Sequence, residues 1–178
     1  MTSLSLVSVL VLLLGIPALA VSPTIRRLFR KAKVEDITPE WLEDFSVATY
    51  LPMTRLLSTE DFAFLASQPG FDAALYRKFR SDRLRIFRQY LHRMISDFNR
   101  LHLAARLLLS QAPQDESQLF GRLVLLKLLF VVSVLRVEIR YMLCKAGLQT
   151  VSVAALIQRL DAMSAQLAEM SAIEPARA

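Results

Sequence analysis

The residues with the most versatile chemistry in this chain are two histidines and a single cysteine. His92 and His102 are ten residues apart. On one helix that spacing is a rise of about 15 Å, which is too far for a shared metal ion. No His-Glu-x-x-His, Glu-x-x-His or Cys-x-x-Cys pattern accompanies them. We therefore expect two isolated histidines, no metal site and no cofactor.

Cys144 and Glu138 are the other reactive or charged residues that stand out, because both lie in an apolar stretch. Cys144 has no second cysteine for a disulfide and no identifiable base, so we expect it to pack as a small apolar side chain. Glu138 lies between Arg136 and Arg140, which predicts an ion-paired helix face. Phosphate-binding glycine motifs and the Gly-x-Ser-x-Gly motif are absent. These observations predict no catalytic residues and no enzyme.

Basic residues crowd the stretch from 77 to 88 and raise the question of nucleic-acid binding. They spread around much of a helix and form no single stripe. No helix-turn-helix, zinc-finger or RNA-binding aromatic motif accompanies them. We favour a solvated or acid-paired surface, with anionic lipid contact as the alternative, and expect no nucleic-acid partner. The basic residues are Arg77, Lys78, Arg80, Arg83, Arg85 and Arg88.

The N-terminal segment is apolar and uncharged over its first 25 residues, and the 18 residues from Leu4 to Val21 are mostly Leu and Val. As a helix this stretch is about 27 Å long, close to the hydrocarbon thickness of a bilayer. The positive-inside rule predicts a single-pass transmembrane anchor over 1–25 and a cytoplasmic C-terminal domain. The cations that follow are expected at the membrane surface, in contact with lipid headgroups. They are Arg26, Arg27, Arg30, Lys31 and Lys33.

Two alternatives are open for the same segment. Ala18-Leu19-Ala20 has the small-x-small form of a signal-peptide cleavage site, and cleavage there would make the chain an exported helical protein. The second alternative is that the segment is a buried helix of a soluble protein. Because no Lys or Arg precedes the apolar stretch, we favour the retained anchor.

Charge patterning divides the remainder of the chain, in which one residue in four is charged (38 of 153), as in folded domains rather than disordered ones. Residues 26–33 form a basic juxtamembrane segment, and residues 34–70 hold seven acids against one base, Arg55. We expect short helices over 34–70, a helical bundle over 71–172 and a flexible tail over 173–178. The acidic segment either lies against the basic helix that follows it, or both are solvated.

Proline placement favours helices throughout, because the windows 70–112 and 114–174 contain none and are rich in helix-forming residues. Thr38 before Pro39 predicts a capped helix start, and Thr59 before two acids predicts another. No hairpin-type alternation follows residue 34.

The first long helix, predicted to end near residue 111, carries apolar residues at alternating spacings of three and four. This is the pattern of left-handed helix packing over about 3.5 heptads. We interpret it as a packing or interaction seam. Its members are Leu84, Phe87, Leu91, Met94, Phe98, Leu101, Ala105 and Leu108.

The second long helix, predicted over 117–146, has two apolar faces separated by charged strips. The Leu128 face comprises Leu125, Leu128, Val132, Leu135, Ile139 and Met142. The Phe130 face comprises Leu123, Leu126, Phe130, Val134, Val137 and Tyr141. Two faces predict a helix sandwiched between two neighbours. The alternative is a membrane-inserted hairpin, which we disfavour because the longest charge-free run is eight residues, against about 20 needed to span.

A third helix is predicted after Gly147, which would cap its predecessor, and it carries its own apolar seam from Val153 to Met170. The fold class is therefore all-α, an N-terminal transmembrane anchor helix followed by an antiparallel helical bundle with coiled-coil-like packing. We interpret the chain as a membrane-anchored helical interaction or scaffold module that binds a protein partner or forms a homo-oligomer. The alternative is a helical protein that binds lipid or a small apolar ligand at the membrane.

Overall fold

The computed structural model describes residues 23–70, 72–111, 117–146 and 151–173, and every regular element in them is helical. This confirms the all-α class. The helices are 23–28 (α1), Pro39–Asp44 (α2), Met53–Leu56 (α3), Thr59–Ser67 (α4), Ala73–Gln111 (α5), Ser117–Lys145 (α6) and Ala154–Ile173 (α7), with single 3-10 turns at Val34–Asp36 and Val47–Tyr50. The predicted anchor up to residue 22, Gly147 and the tail after residue 173 lie outside the described residues.

The starts of the short helices follow their capping residues. The Thr38 hydroxyl accepts the backbone N–H of Trp41 at 3.2 Å and Pro39 occupies the first turn, which confirms the predicted start of α2. The second start is one residue earlier than predicted, because the Ser58 hydroxyl, not Thr59, caps α4 by accepting the N–H of Glu60 at 3.3 Å. The segment then turns at Gly70, whose φ of 87° favours glycine.

Helices α5 and α6 run in opposite directions, as their contacts show. In the first half of α5, the Tyr141 hydroxyl donates to the Leu84 carbonyl at 3.4 Å, and the Tyr141 ring stacks on Phe87 with 5.8 Å between the ring centres. Further along α5, the Phe98 ring stacks on Phe130 at 3.8 Å. Residue numbers thus rise along one helix while they fall along the other. Helix α7 contacts both.

The seam of α5 lies in the hydrophobic core of the chain. Leu84, Phe87, Leu91, Met94, Phe98 and Leu101 are buried, and Leu108 is partly buried. Burial of one such side chain contributes about 1.5–3 kcal/mol. The α7 residues facing them are also buried, among them Leu156, Leu160 and Met163. The α5 seam is therefore occupied by contacts within the chain.

The acidic segment packs on α5 mainly through apolar side chains. Of the seven acids between residues 34 and 70, only Asp61 reaches a base of α5 among the described residues, with Arg83 at 2.8 Å. Tyr50, Met53 and Leu57 are instead buried in the core. Within the described residues, the alternative of a paired-charge layer is thus reduced to one ion pair, and the other six acids follow the solvated alternative. The physical reason is that exposed pairs contribute at most about 1 kcal/mol, less than burial of a large apolar side chain.

Helix α6 is covered on one side only. The Phe130 face is buried or partly buried against α5 and α7, whereas four of the six residues of the Leu128 face are exposed. The prediction that α6 lies between two neighbours is therefore met on one face only within the described residues. A second neighbour for α6 is not supplied by the described part of the chain.

Candidate functional site

Helix α6 carries six of the 14 large hydrophobic side chains that are exposed among the described residues, and four of these six belong to its Leu128 face. Leu125, Leu128, Val132 and Ile139 are between 48% and 58% exposed. Phe120 and Val124 extend the face at its N-terminal end and are also exposed. Contiguous exposed apolar surface rimmed by polar residues is typical of a protein or membrane contact site.

The spacing within this face is regular. From Gly121 the residues alternate at intervals of four and three through Leu125, Leu128, Val132, Leu135, Ile139 and Met142. This is the repeat with which one helix places its side chains into the holes of another. The same repeat buries α5 in the core, but on α6 it faces solvent.

Helix α6 is also long and apolar enough to cross a membrane over Gln118–Lys145, by length and composition. Only 17% of its most apolar window is buried, whereas the core helix of a soluble protein is mostly buried. Arg122 and Lys127 lie in the first half of this stretch, and an Arg or Lys at the centre of a spanning helix costs about 2.5–3.5 kcal/mol.

Glu138 lies beside the Leu128 face and is fully buried. The Thr24 hydroxyl, also fully buried, donates to Glu138 Oε1. Glu138 Oε2 has no hydrogen-bond partner among the described residues. The expected ion pairs with Arg136 and Arg140 are absent from this part of the chain, so that prediction is wrong. The carboxylate instead fastens α1 to α6.

The predicted membrane-surface cations are all exposed: Arg26, Arg27, Arg30, Lys31 and Lys33. The structure brings three of them together. Arg26, Arg27 and Arg30 line, with Pro23, a cleft of about 350 Å³, which we call the arginine cleft. Lys31 and Lys33 do not line it.

The histidines form no joint site. Burial lowers the pKa of His102 to about 4, with Lys127 and Arg106 adding repulsion. Burial also lowers the pKa of His92 to about 4, with Arg27 and Arg88 adding repulsion. Both are therefore neutral near pH 7. Within the described residues, no group of three or more His, Cys, Asp or Glu side chains is placed to hold a metal ion.

The cysteine and the basic cluster of α5 are engaged within the chain. Cys144 is a buried free thiol. The basic residues with internal contacts are Arg80 on the carbonyl of Cys144, Arg83 with Asp61, Arg85 with Asp82, and Arg88 over the ring of Tyr141. These contacts use much of the cluster that would otherwise face an external anion.

The buried hydrogen bond between Tyr50 and Asp97 was not predicted from the sequence. The Tyr50 hydroxyl donates to Asp97, and burial together with this carboxylate raises the pKa of Tyr50 well above its usual range. Arg100 and Arg93 lie 3.6 Å and 3.8 Å from the carboxylate oxygens. The available signal was an acid next to Phe98, on the buried side of α5. Its partner is 47 residues away and no local pattern indicates it.

An apolar groove of about 750 Å³ separates the segment around α2 from α5 and α7. Its walls include Leu42 and Phe45 on one side, Leu101 and Leu108 on α5, and Leu167 on α7. The groove is on a different part of the molecule from the Leu128 face, which belongs to α6 alone.

The chain matches no protein-family model, no curated protein and no solved structure.

Proposed function

We propose that this protein is a membrane-anchored helical module that self-associates through the Leu128 face of α6. In this proposal residues 1–25 are the anchor, the remainder is cytoplasmic, and α5, α6 and α7 form an antiparallel bundle with coiled-coil-like packing. The observation that carries it is the unbroken four–three repeat of apolar residues on an exposed helix face.

A second copy of the chain fits this face better than an unrelated partner. An apolar seam is complementary to itself, so two copies bury it around a two-fold axis without needing matched charges. Anchoring in one membrane also raises the effective concentration of copies relative to each other. Arg122 and Arg136 are exposed residues at the edge of the Leu128 face, so their side chains can stay in solvent when the face is covered.

The test is cysteine cross-linking of the full chain in membranes, in a Cys144→Ala background. Val132→Cys lies near the middle of the Leu128 face, and we expect a disulfide-linked dimer on mild oxidation. Leu75→Cys is the matched control, since Leu75 is a leucine 65% exposed on α5, away from the seam. A parallel pair also links Leu125→Cys and Ile139→Cys to themselves, whereas an antiparallel pair links only the central position.

No more dimer at Val132→Cys than at Leu75→Cys would overturn self-association. Photo-labelling of Leu128→Cys by a lipid-borne probe, in place of a dimer, would instead assign the face to the bilayer. The anchor has a separate test, which is the intact mass of the protein from the membrane fraction. A mass without the first 20 residues would indicate the exported form cleaved after Ala20.

A second candidate function is binding of a lipid or small apolar ligand in the groove between α2, α5 and α7. It is favoured by the groove's volume of about 750 Å³, which is in the range of ligand pockets. Ala168→Trp places a large side chain in the groove, and Ala155→Trp is an exposed control on the same helix outside it. Native mass spectrometry should show co-purifying lipid lost from the first variant only. Protein with no bound lipid in either variant or the parent would exclude this function.

A further inference from the structure

Helix α1 is held on the core at three points, so the residues it presents outward are not on a loose linker. Thr24 is bonded to Glu138, and Leu28 is 2% exposed. Asn99 Nδ2 donates to the carbonyls of Arg27 at 3.2 Å and of Arg30 at 3.5 Å. These contacts fix the backbone from residue 24 to residue 30.

The outward side of this clamped segment is the arginine cleft. Arg26, Arg27 and Arg30 are exposed, and none of them is in an ion pair with a described residue. No carboxylate is among the described residues that line the cleft. Three arginine residues therefore line a volume of about 350 Å³, and no acidic residue in the described part of the chain lines it with them.

The C-terminal end of α1 lies next to the cleft, and a side-chain amide binds backbone carbonyls there. Unpaired carbonyls at a helix C-terminus carry partial negative charge and repel anions. Asn99 occupies the carbonyls of Arg27 and Arg30, which reduces that repulsion.

We infer that Arg26, Arg27 and Arg30 form a preorganised site for a phosphate group. The guanidinium fork matches two phosphate oxygens at once, and charge-assisted bonds of this kind are the strong ones. The phosphate belongs either to an anionic lipid headgroup or to a soluble phosphate ester. The lipid source rests on the proposed anchor, because a span ending near residue 25 places the cleft at the headgroup level.

The experiment uses the full chain in mild detergent and counts bound phosphatidic acid by native mass spectrometry, with phosphatidylcholine as the zwitterionic reference. The test variant is Arg26→Gln/Arg27→Gln/Arg30→Gln. The control is Arg77→Gln/Lys78→Gln/Lys145→Gln, which removes the same charge from exposed positions on α5 and α6. We expect the test variant to lose phosphatidic acid by at least about tenfold and the control to keep it within about twofold.

Asn99→Ala separates a built site from simple attraction by charge, since it keeps every cation and frees the backbone. We expect several-fold weaker binding. Titration with inorganic phosphate distinguishes the sources: displacement of phosphatidic acid at millimolar phosphate indicates a soluble ester, and no displacement indicates a headgroup.

Two outcomes would overturn the site: undiminished binding in the test variant, or equal losses in the test and control variants. Neither outcome touches self-association, because the cross-link at Val132→Cys is read on a different surface. Circular dichroism of each variant checks that the helices are retained.

Discussion

The two faces of α6 are both apolar, but their environments are opposite. Leu123 and Phe130 are each 1% exposed, whereas Leu125 and Leu128 are more than half exposed. Both sets recur at helical spacing, and both are rich in Leu and Val. The difference lies in the neighbours, because α5 and α7 cover only the Phe130 face. Helical periodicity thus identifies apolar faces, but it does not say whether the covering surface belongs to the same chain.

The largest expected effect comes from a matched pair of truncations on these faces. Leu123→Ala leaves a cavity against α5 and α7, and we expect it to lower the free energy of unfolding by about 2–5 kcal/mol. Leu128→Ala removes the same atoms from an exposed position, and we expect a change within about 0.5 kcal/mol for the monomer. Chemical unfolding in dilute detergent, followed by circular dichroism, measures both. Equal losses would show that the Leu128 face is covered within the monomer.

The next effect concerns the boundary between α6 and α1. Thr24→Val keeps the shape of the side chain but removes the one hydrogen bond that the described residues make to the buried carboxylate of Glu138. We expect a loss of about 1–3 kcal/mol in the free energy of unfolding, because both carboxylate oxygens are then unpaired. Thr49→Val, at an exposed threonine, is the control and should change little. A neutral Thr24→Val would mean that α1 is not fastened to α6 by this bond.

The smallest effect is a pH dependence on the side of α5 that faces α6. His102 is 7% exposed, and its pKa of about 4 in the folded chain lies below its ordinary value near 6.5. Between these pH values the unfolded chain binds the extra proton, so stability falls as the pH falls from 6.5 toward 4. At pH 5.5 the loss is about 1 kcal/mol relative to neutral pH.

His102→Gln removes this contribution, and the measurement is the unfolding free energy at pH 7.5 and pH 5.5 for both proteins. The variant should show a shallower decline. His92 continues to contribute in the variant, since its pKa is lowered to about 4 as well. An unchanged decline would show that His102 is as accessible to protons in the folded chain as in the unfolded one.

The acidic segment over 34–70 shows that a charge pattern, like an apolar pattern, does not identify the surface it contacts. Its acids and the bases of α5 suggested a paired layer, yet Asp61 and Arg83 are the pair that forms among the described residues. Tyr50 and Met53 decide the docking, because burial of apolar surface outweighs exposed ion pairs. In this chain the opposite charge blocks therefore do not determine how the acidic segment docks on α5.

The sequence by itself determined the helices, the cap at Thr38, and the apolar seam of α5, because these depend on spacing and on neighbours within one or two turns. Only the tertiary structure decided that the Leu128 face of α6 is exposed, that Thr24 satisfies one oxygen of Glu138, and that three arginines after the apolar segment line one cleft. Those features join residues as far as 114 positions apart. Helical spacing does not encode which of two apolar faces meets a partner, since that choice is made by packing across the whole chain.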